Sequence, residues 1–124
     1  MARRVWSELA PGSVVWLSGD LGAGKTTFAQ AVTEAAAAER ATSPSFALVH
    51  EYRSPHGMVA HADCYRLREP AEAIDLDLLR LAHDARLLLV EWPERAGPFA
   101  PPPDLHLKFS HADDPDRRLV ERLT

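Results

Sequence analysis

The segment Gly19-Asp20-Leu21-Gly22-Ala23-Gly24-Lys25-Thr26 sets glycines, a lysine and a threonine at the spacing G-x-x-x-x-G-K-T. That spacing suits a backbone that wraps a phosphate. Gly19, Gly22 and Gly24 carry no Cβ to block the approach. The loop's N–H groups then face an anion at the positive end of a helix dipole. The candidate cradle runs from Gly19 to Thr27, so Asp20, Leu21, Ala23 and Thr27 belong to it. Lys25 adds a full positive charge for the outer phosphates, and the Thr26 hydroxyl suits a hard cation such as Mg²⁺. A glycine turn joining a strand to a helix is the plain alternative.

Phosphoryl chemistry on such a loop needs more groups: an acid near the cation, something that orients the attacking group, and often a loop that senses the outermost phosphate. Glu91 closes the apolar run Leu87-Leu88-Leu89-Val90 and is the first candidate acid. Asp63, in His61-Ala62-Asp63-Cys64-Tyr65-Arg66, is the second. Strand alternation puts His61, Asp63 and Tyr65 on one face and Cys64 on the other. Thr42, Ser43 and Ser45 surround Pro44 just after the first long helix, where a hydroxyl could meet the cation or a phosphate. Trp92 follows Glu91 and could close a pocket or stack on a base. Each has a bland alternative: a strand-end acid, a solvated face, a polar turn, a core aromatic. His50, His56, His83, His106 and His111 show no metal-ligand spacing with cysteine, and Arg95 reads as a solvated loop charge.

These groups need elements to hold them. Residues 2–9 suit a short helix with Val5, Trp6 and Leu9 on one side. Val14–Ser18 is nearly all apolar, as expected of a central strand covered on both faces. Residues 25–38 read as a helix whose buried stripe is Phe28, Ala31, Val32 and Ala35. Runs 46–53 and 58–65, joined by a turn at Ser54-Pro55-His56-Gly57, read as an antiparallel hairpin. Residues 69–83 are helical, with Asp75 and Asp77 as possible breaks. Residues 86–92 form a second central strand. Residues 93–103 contain five of the ten prolines, which excludes a regular ladder and predicts a surface loop. Residues 105–110 alternate as a half-exposed strand, and 117–123 are a last strand or a helical end.

The expectation is one α/β domain over 1–124, with a mixed, mostly parallel sheet flanked by helices and an antiparallel hairpin. With 46% hydrophobic and 26% charged residues, the composition is that of an ordinary globular chain. The net charge of −4 offers no basic surface for nucleic acid, so contact with RNA is expected only through a partner. One cysteine excludes an intrachain disulfide and fits a reducing cytoplasm. No apolar run approaches the roughly 20 residues of a membrane span.

Taken in order, GDLGAGKTTF, TSPSF with LVHEY, HADCYRL and LVEWPER give the chain a resemblance to the TsaE family between about Pro11 and Leu107. These are small bacterial ATPases of tRNA threonylcarbamoyladenosine biosynthesis. The phosphate loop alone is common to many families; its combination with the other three motifs is far more specific. The resemblance implies a P-loop NTPase-type domain that binds ATP and Mg²⁺ and hydrolyses ATP slowly. It implies TsaD and TsaB as partners. That complex transfers the threonylcarbamoyl group to N6 of an adenosine beside the anticodon, and the ATPase resets it between turnovers. Carried over by motif, Lys25 and the loop bind phosphates, Thr26 takes Mg²⁺, and Asp63 and Glu91 support Mg²⁺ and hydrolysis. Ser45 stands where the family usually has threonine, and Trp92 matches a tryptophan near the nucleotide. Only 18 residues precede Gly19, fewer than is usual in the family, and the C-terminal end is also short. Either the start codon is misassigned or adenine contacts are reduced. The alternatives are a small-molecule kinase, for which no arginine-rich lid is visible, and a nucleotide-dependent binding module without turnover, against which the acids argue.

Overall fold

Three apolar segments, Ser13–Gly19 (β1), Gly57–Asp63 (β4) and Leu87–Glu91 (β5), lie side by side in a seven-stranded sheet. The computed structural model describes residues 2–20, 24–40, 48–111 and 118–123. The remaining described elements are the helices Ala2–Glu8 (α1), Lys25–Ala35 (α2) and Leu78–Asp84 (α3), and the strands Glu39–Arg40 (β2), Val49–Ser54 (β3), Leu105–His111 (β6) and Arg118–Arg122 (β7). Tight 3₁₀ turns cover Pro70–Leu76, Pro93–Arg95 and Gly97–Phe99.

The strand order is β2-β3-β4-β5-β1-β6-β7. The four inner strands β4, β5, β1 and β6 run parallel. Antiparallel partners flank them on both sides: β2 and β3 at one edge, β7 at the other. The mixed α/β sheet with its hairpin is as expected, and its three parallel pairings equal its three antiparallel ones in number. The parallel strands all end on one edge, so Gly19, Asp63 and Glu91 converge there. Ligands of open parallel sheets bind at that edge.

Both sheet faces are covered, as the unbroken apolar runs require. On one face Val15, Leu17, Val59, Leu87 and Leu89 pack against Phe28, Ala29 and Val32 of α2. On the other, Val14, Ala60, Ala62, Leu88 and Val90 pack against Leu78 and Leu81 of α3, with Cys64 among them. Every residue of β5 is buried. Each such leucine contributes about 1.5–3 kcal/mol relative to exposure, so the inner strands form a stiff platform.

Several boundaries differ from expectation. α2 stops at Ala35 rather than residue 38, and its stripe is Phe28, Ala29, Val32 and Thr33; Ala31 and Ala35 are only half-buried. β4 ends at Asp63, which leaves Tyr65 beyond the strand and 38% exposed. Asp77, at φ 50°, is the break between the 3₁₀ turn and α3. The proline-rich stretch is pinned rather than loose: Pro101 is buried and its carbonyl accepts the Trp16 indole N–H at 2.8 Å. Residues 118–122 form a strand paired with β6. No described helix is long and apolar enough to cross a membrane.

Candidate functional site

β1 delivers the chain to the parallel edge at Gly19, which has φ 118°. A Cβ there would stand 1.9 Å from the Phe109 carbonyl oxygen. Only glycine lets β1 turn out of the sheet while still hugging β6. The Asp20 amide confirms the close approach by donating to Phe109 O at 3.1 Å. Leu21, Gly22 and Ala23 lie outside the described residues. The chain resumes at Gly24, whose carbonyl accepts the Phe28 amide in the first turn of α2.

Lys25 opens α2 and is only 4% exposed. Its ammonium donates to the carbonyls of Gly19 and Asp20, each at 2.8 Å. It also lies 4.4 Å above the centre of the Trp92 ring, within the range of a cation–π contact. Burial holds its pKa below the usual 10.5, while Glu91, Glu94, Asp20 and Asp63 pull in the opposite direction. The lysine is therefore a desolvated cation facing a group of acids.

Glu91 ends β5 and is 2% exposed. The Thr26 hydroxyl donates to it, 3.1 Å from each carboxylate oxygen. His61 Nε2 lies 2.5 Å from Glu91 Oε2. Asp63 is the register partner of Glu91 on β4. Its carboxylate is half-buried and accepts the Tyr65 amide at 3.1 Å, a local turn closure. Thr27 is exposed on the first turn of α2.

Trp92 adopts φ 56°, ψ 51°. A bulky residue in this left-handed region costs about 1–3 kcal/mol, and such strain collects at functional sites. The turn carries the indole back over Lys25. Tyr65 packs on it with ring centres 5.1 Å apart, and the Arg95 guanidinium lies 5.2 Å from the Tyr65 ring and 5.7 Å from the Trp92 ring. Arg95, read from sequence as a loop charge, is exposed but stacked at the rim of the site.

The structure thus brings together Gly19, Asp20, Lys25, Thr26, Glu91 and Trp92, with Asp63 one strand away. Ser45, with Thr42 and Ser43, lies outside the described residues. His61 is the residue that sequence reasoning placed on the face of Asp63 but gave no role. Its signal was the shared strand face with Asp63, but its partner stands on a different strand.

The donor set can be tested against Mg²⁺. Thr26, Glu91 and Asp63 offer only hard oxygens, and Cys64 is buried on the opposite face. Among the described residues, no group of three histidine, cysteine or acidic side chains is close enough to form a complete metal cage. One hydroxyl and one or two carboxylates suit Mg²⁺, which keeps several waters and shares its shell with substrate phosphates. The residues fit the ion.

Comparison with known proteins extends this picture. The family described as threonylcarbamoyl adenosine biosynthesis protein TsaE matches residues 1–120. A Rickettsia bellii protein named tRNA threonylcarbamoyladenosine biosynthesis protein TsaE is 36% identical over 120 residues, covering 95% of this chain and 82% of its own length. A Bacillus subtilis protein of the same name is 34% identical over 111 residues, covering 89% of this chain and 69% of its own. The crystal structure of Bacillus subtilis YdiB superposes with a TM-score of 0.77 at 30% identity, over 98% of this chain and 74% of that one. A match from the first residue almost to the last, with the same fold beneath it, means that this chain belongs to the TsaE family.

Proposed function

We propose that this chain is the Mg²⁺-dependent, ATP-binding and ATP-hydrolysing subunit of a cytoplasmic system that forms N6-threonylcarbamoyladenosine in tRNA. It acts on a TsaD–TsaB complex and is not itself the transferase. Family membership and the names of its relatives support the role in tRNA threonylcarbamoyladenosine biosynthesis. The observation that carries the chemistry is the meeting of Thr26 and Glu91 directly beside the buried Lys25 cation.

In this reading Lys25 exchanges the carbonyls of Gly19 and Asp20 for phosphate oxygens. Hydrogen bonds to a charged group are worth about 1.5–3 kcal/mol each, so the exchange conserves bonding while neutralising the nucleotide. Loop amides from Gly19 to Thr27 orient the phosphates. Thr26, Glu91 and Asp63 would hold Mg²⁺, and Ser45 would sense the outermost phosphate. When bound, the cation supplies charge neutralisation at the phosphate oxygens. Trp92 covers the Lys25 ammonium and limits its access to water. The net charge of −4 leaves tRNA to the partner complex.

The test is Lys25→Ala in a reconstituted reaction with TsaD and TsaB from the same organism. ATP turnover and repeated cycles of tRNA modification should both be lost. A variant that sustains modification as well as the unaltered chain refutes the proposal.

A further inference from the structure

The buried contact between His61 and Glu91 has no role in the proposal above. We infer that His61 is a positioning residue, which holds the Glu91 carboxylate from the core side so that it faces Thr26. This rests on the reading of Glu91 as an acid serving Mg²⁺ and nucleotide.

The register gives the geometry. Asp63 pairs with Glu91, and His61 pairs with Leu89, so all four share one sheet face. His61 stands two residues back from the edge, roughly 7 Å deeper at strand spacing. A ligand at the edge meets Glu91 before it could reach His61. The His61 side chain is 8% exposed and that of Glu91 3%. A carboxylate this deep needs hydrogen-bond donors on more than one side. Thr26 supplies one hydroxyl shared between both oxygens, and His61 supplies the shorter contact to a single oxygen. That asymmetry fixes the carboxylate plane. His50, the cross-strand neighbour of His61, lies alongside with ring centres 6.4 Å apart. Partners that orient a metal-binding carboxylate typically change metal affinity or activity by about 10–100-fold when removed.

The test compares His61→Ala with His61→Gln, whose amide nitrogen occupies the place of Nε2. In crystal structures, Glu91 should leave Thr26 in the alanine variant and keep it in the glutamine variant. By calorimetry, nucleotide affinity without Mg²⁺ should stay within twofold for both. The gain in affinity on adding Mg²⁺ should fall about 10–100-fold in His61→Ala and recover in His61→Gln. In the ATPase assay, His61→Ala should lower kcat with little change in KM. If His61→Ala does not fold, His61→Asn replaces it, since its shorter amide does not reach Glu91. Equal losses in the alanine and glutamine variants overturn the inference. So does an intact Glu91–Thr26 bond in the alanine structure. An unaltered chain that binds no ATP would instead refute the functional reading, and the Glu91–Thr26 distance would still decide the role of His61.

Discussion

Replacing Gly19 by alanine should cost more stability than the same change at Gly12, Gly57 or Gly97. The new Cβ would lie 1.9 Å from Phe109 O, 2.7 Å from Phe109 N and 2.8 Å from Phe109 C. All three are backbone atoms of β6, so no side chain can swing aside. Phe109 cannot retreat easily either. It is 3% exposed and its ring packs on Phe28 with centres 5.5 Å apart. Two costs combine. A side chain at φ 118° is strained by about 1–3 kcal/mol. Forced overpacking adds about 1–3 kcal/mol. The sum, about 2–6 kcal/mol, is a large part of a typical stability of about 5–15 kcal/mol. For a domain of this size it corresponds to a Tm loss of about 6–30 °C. Gly12→Ala is the control, because Gly12 has φ 85° but nothing within 4 Å of its Cβ position. It bears only the backbone cost, about 1–2 kcal/mol. Thermal melts followed by far-UV circular dichroism compare the two. If Gly19→Ala loses no more Tm than Gly12→Ala, then β1 and β6 do not approach as closely as described.

Three further outcomes follow from groups already placed. Burial lowers the Lys25 pKa below 10.5, so between that lowered value and 10.5 the unfolded chain binds the extra proton. Stability should therefore rise with pH across that window, and Lys25→Met should flatten the rise in denaturant titrations. An unchanged slope would mean that Lys25 is not desolvated. Cys64 is fully buried, and burial pushes its thiol up to about 12. A thiol reagent at pH 8 should label the native protein at least about 100-fold more slowly than the denatured one, because only the thiolate reacts. Comparable rates would contradict its place in the core. Finally, Ile74→Lys and Leu79→Lys, at positions 57% and 59% exposed, should change stability by no more than about 0.5 kcal/mol. A large loss in melting experiments would show that these side chains are covered.

The parts of the fold that were legible are those where burial dictates residue type on its own. Residues 86–92 announced a central strand because both faces of β5 are buried and its first four positions, Leu87 to Val90, are all apolar. The turn out of β1 was legible because Gly19 has no substitute there. The end of α2 was hidden for the opposite reason. Ala36, Ala37 and Ala38 are strong helix formers, yet Ala37 turns left-handed at φ 55°. The amides of Ala37 and Ala38 then close back on Glu34 and Thr33. This is the geometry in which glycine usually ends a helix, and without glycine nothing local marks it. Local sequence likewise carries no sign of the Trp92 backbone turn. The contact of His61 with Glu91 joins strands 30 positions apart, so its existence depends on register rather than on composition. Glu91 could be named as an acid from its place at a strand end, and Asp63 from the strand face it shares with His61 and Tyr65, but which one would meet Thr26 was decided by the sheet.

The pairing of β1 also bears on how the chain is made. β1 leaves the ribosome well before both of its neighbours, β5 and β6, which follow it by about 70 residues or more. Until they emerge, Val14, Val15 and Leu17 have no strand to pair with, and Gly19 has no β6 backbone to lean on. Loop closure over such separations is slow compared with forming a local hairpin. The β3–β4 hairpin, complete within residues 49–63, can form early and wait. The edge at which Gly19, Lys25 and Glu91 meet is therefore a late product of synthesis. A nascent chain arrested before β5 would display an apolar ribbon suited to chaperones, and a truncated product ending there would lack Glu91, the partner of Thr26.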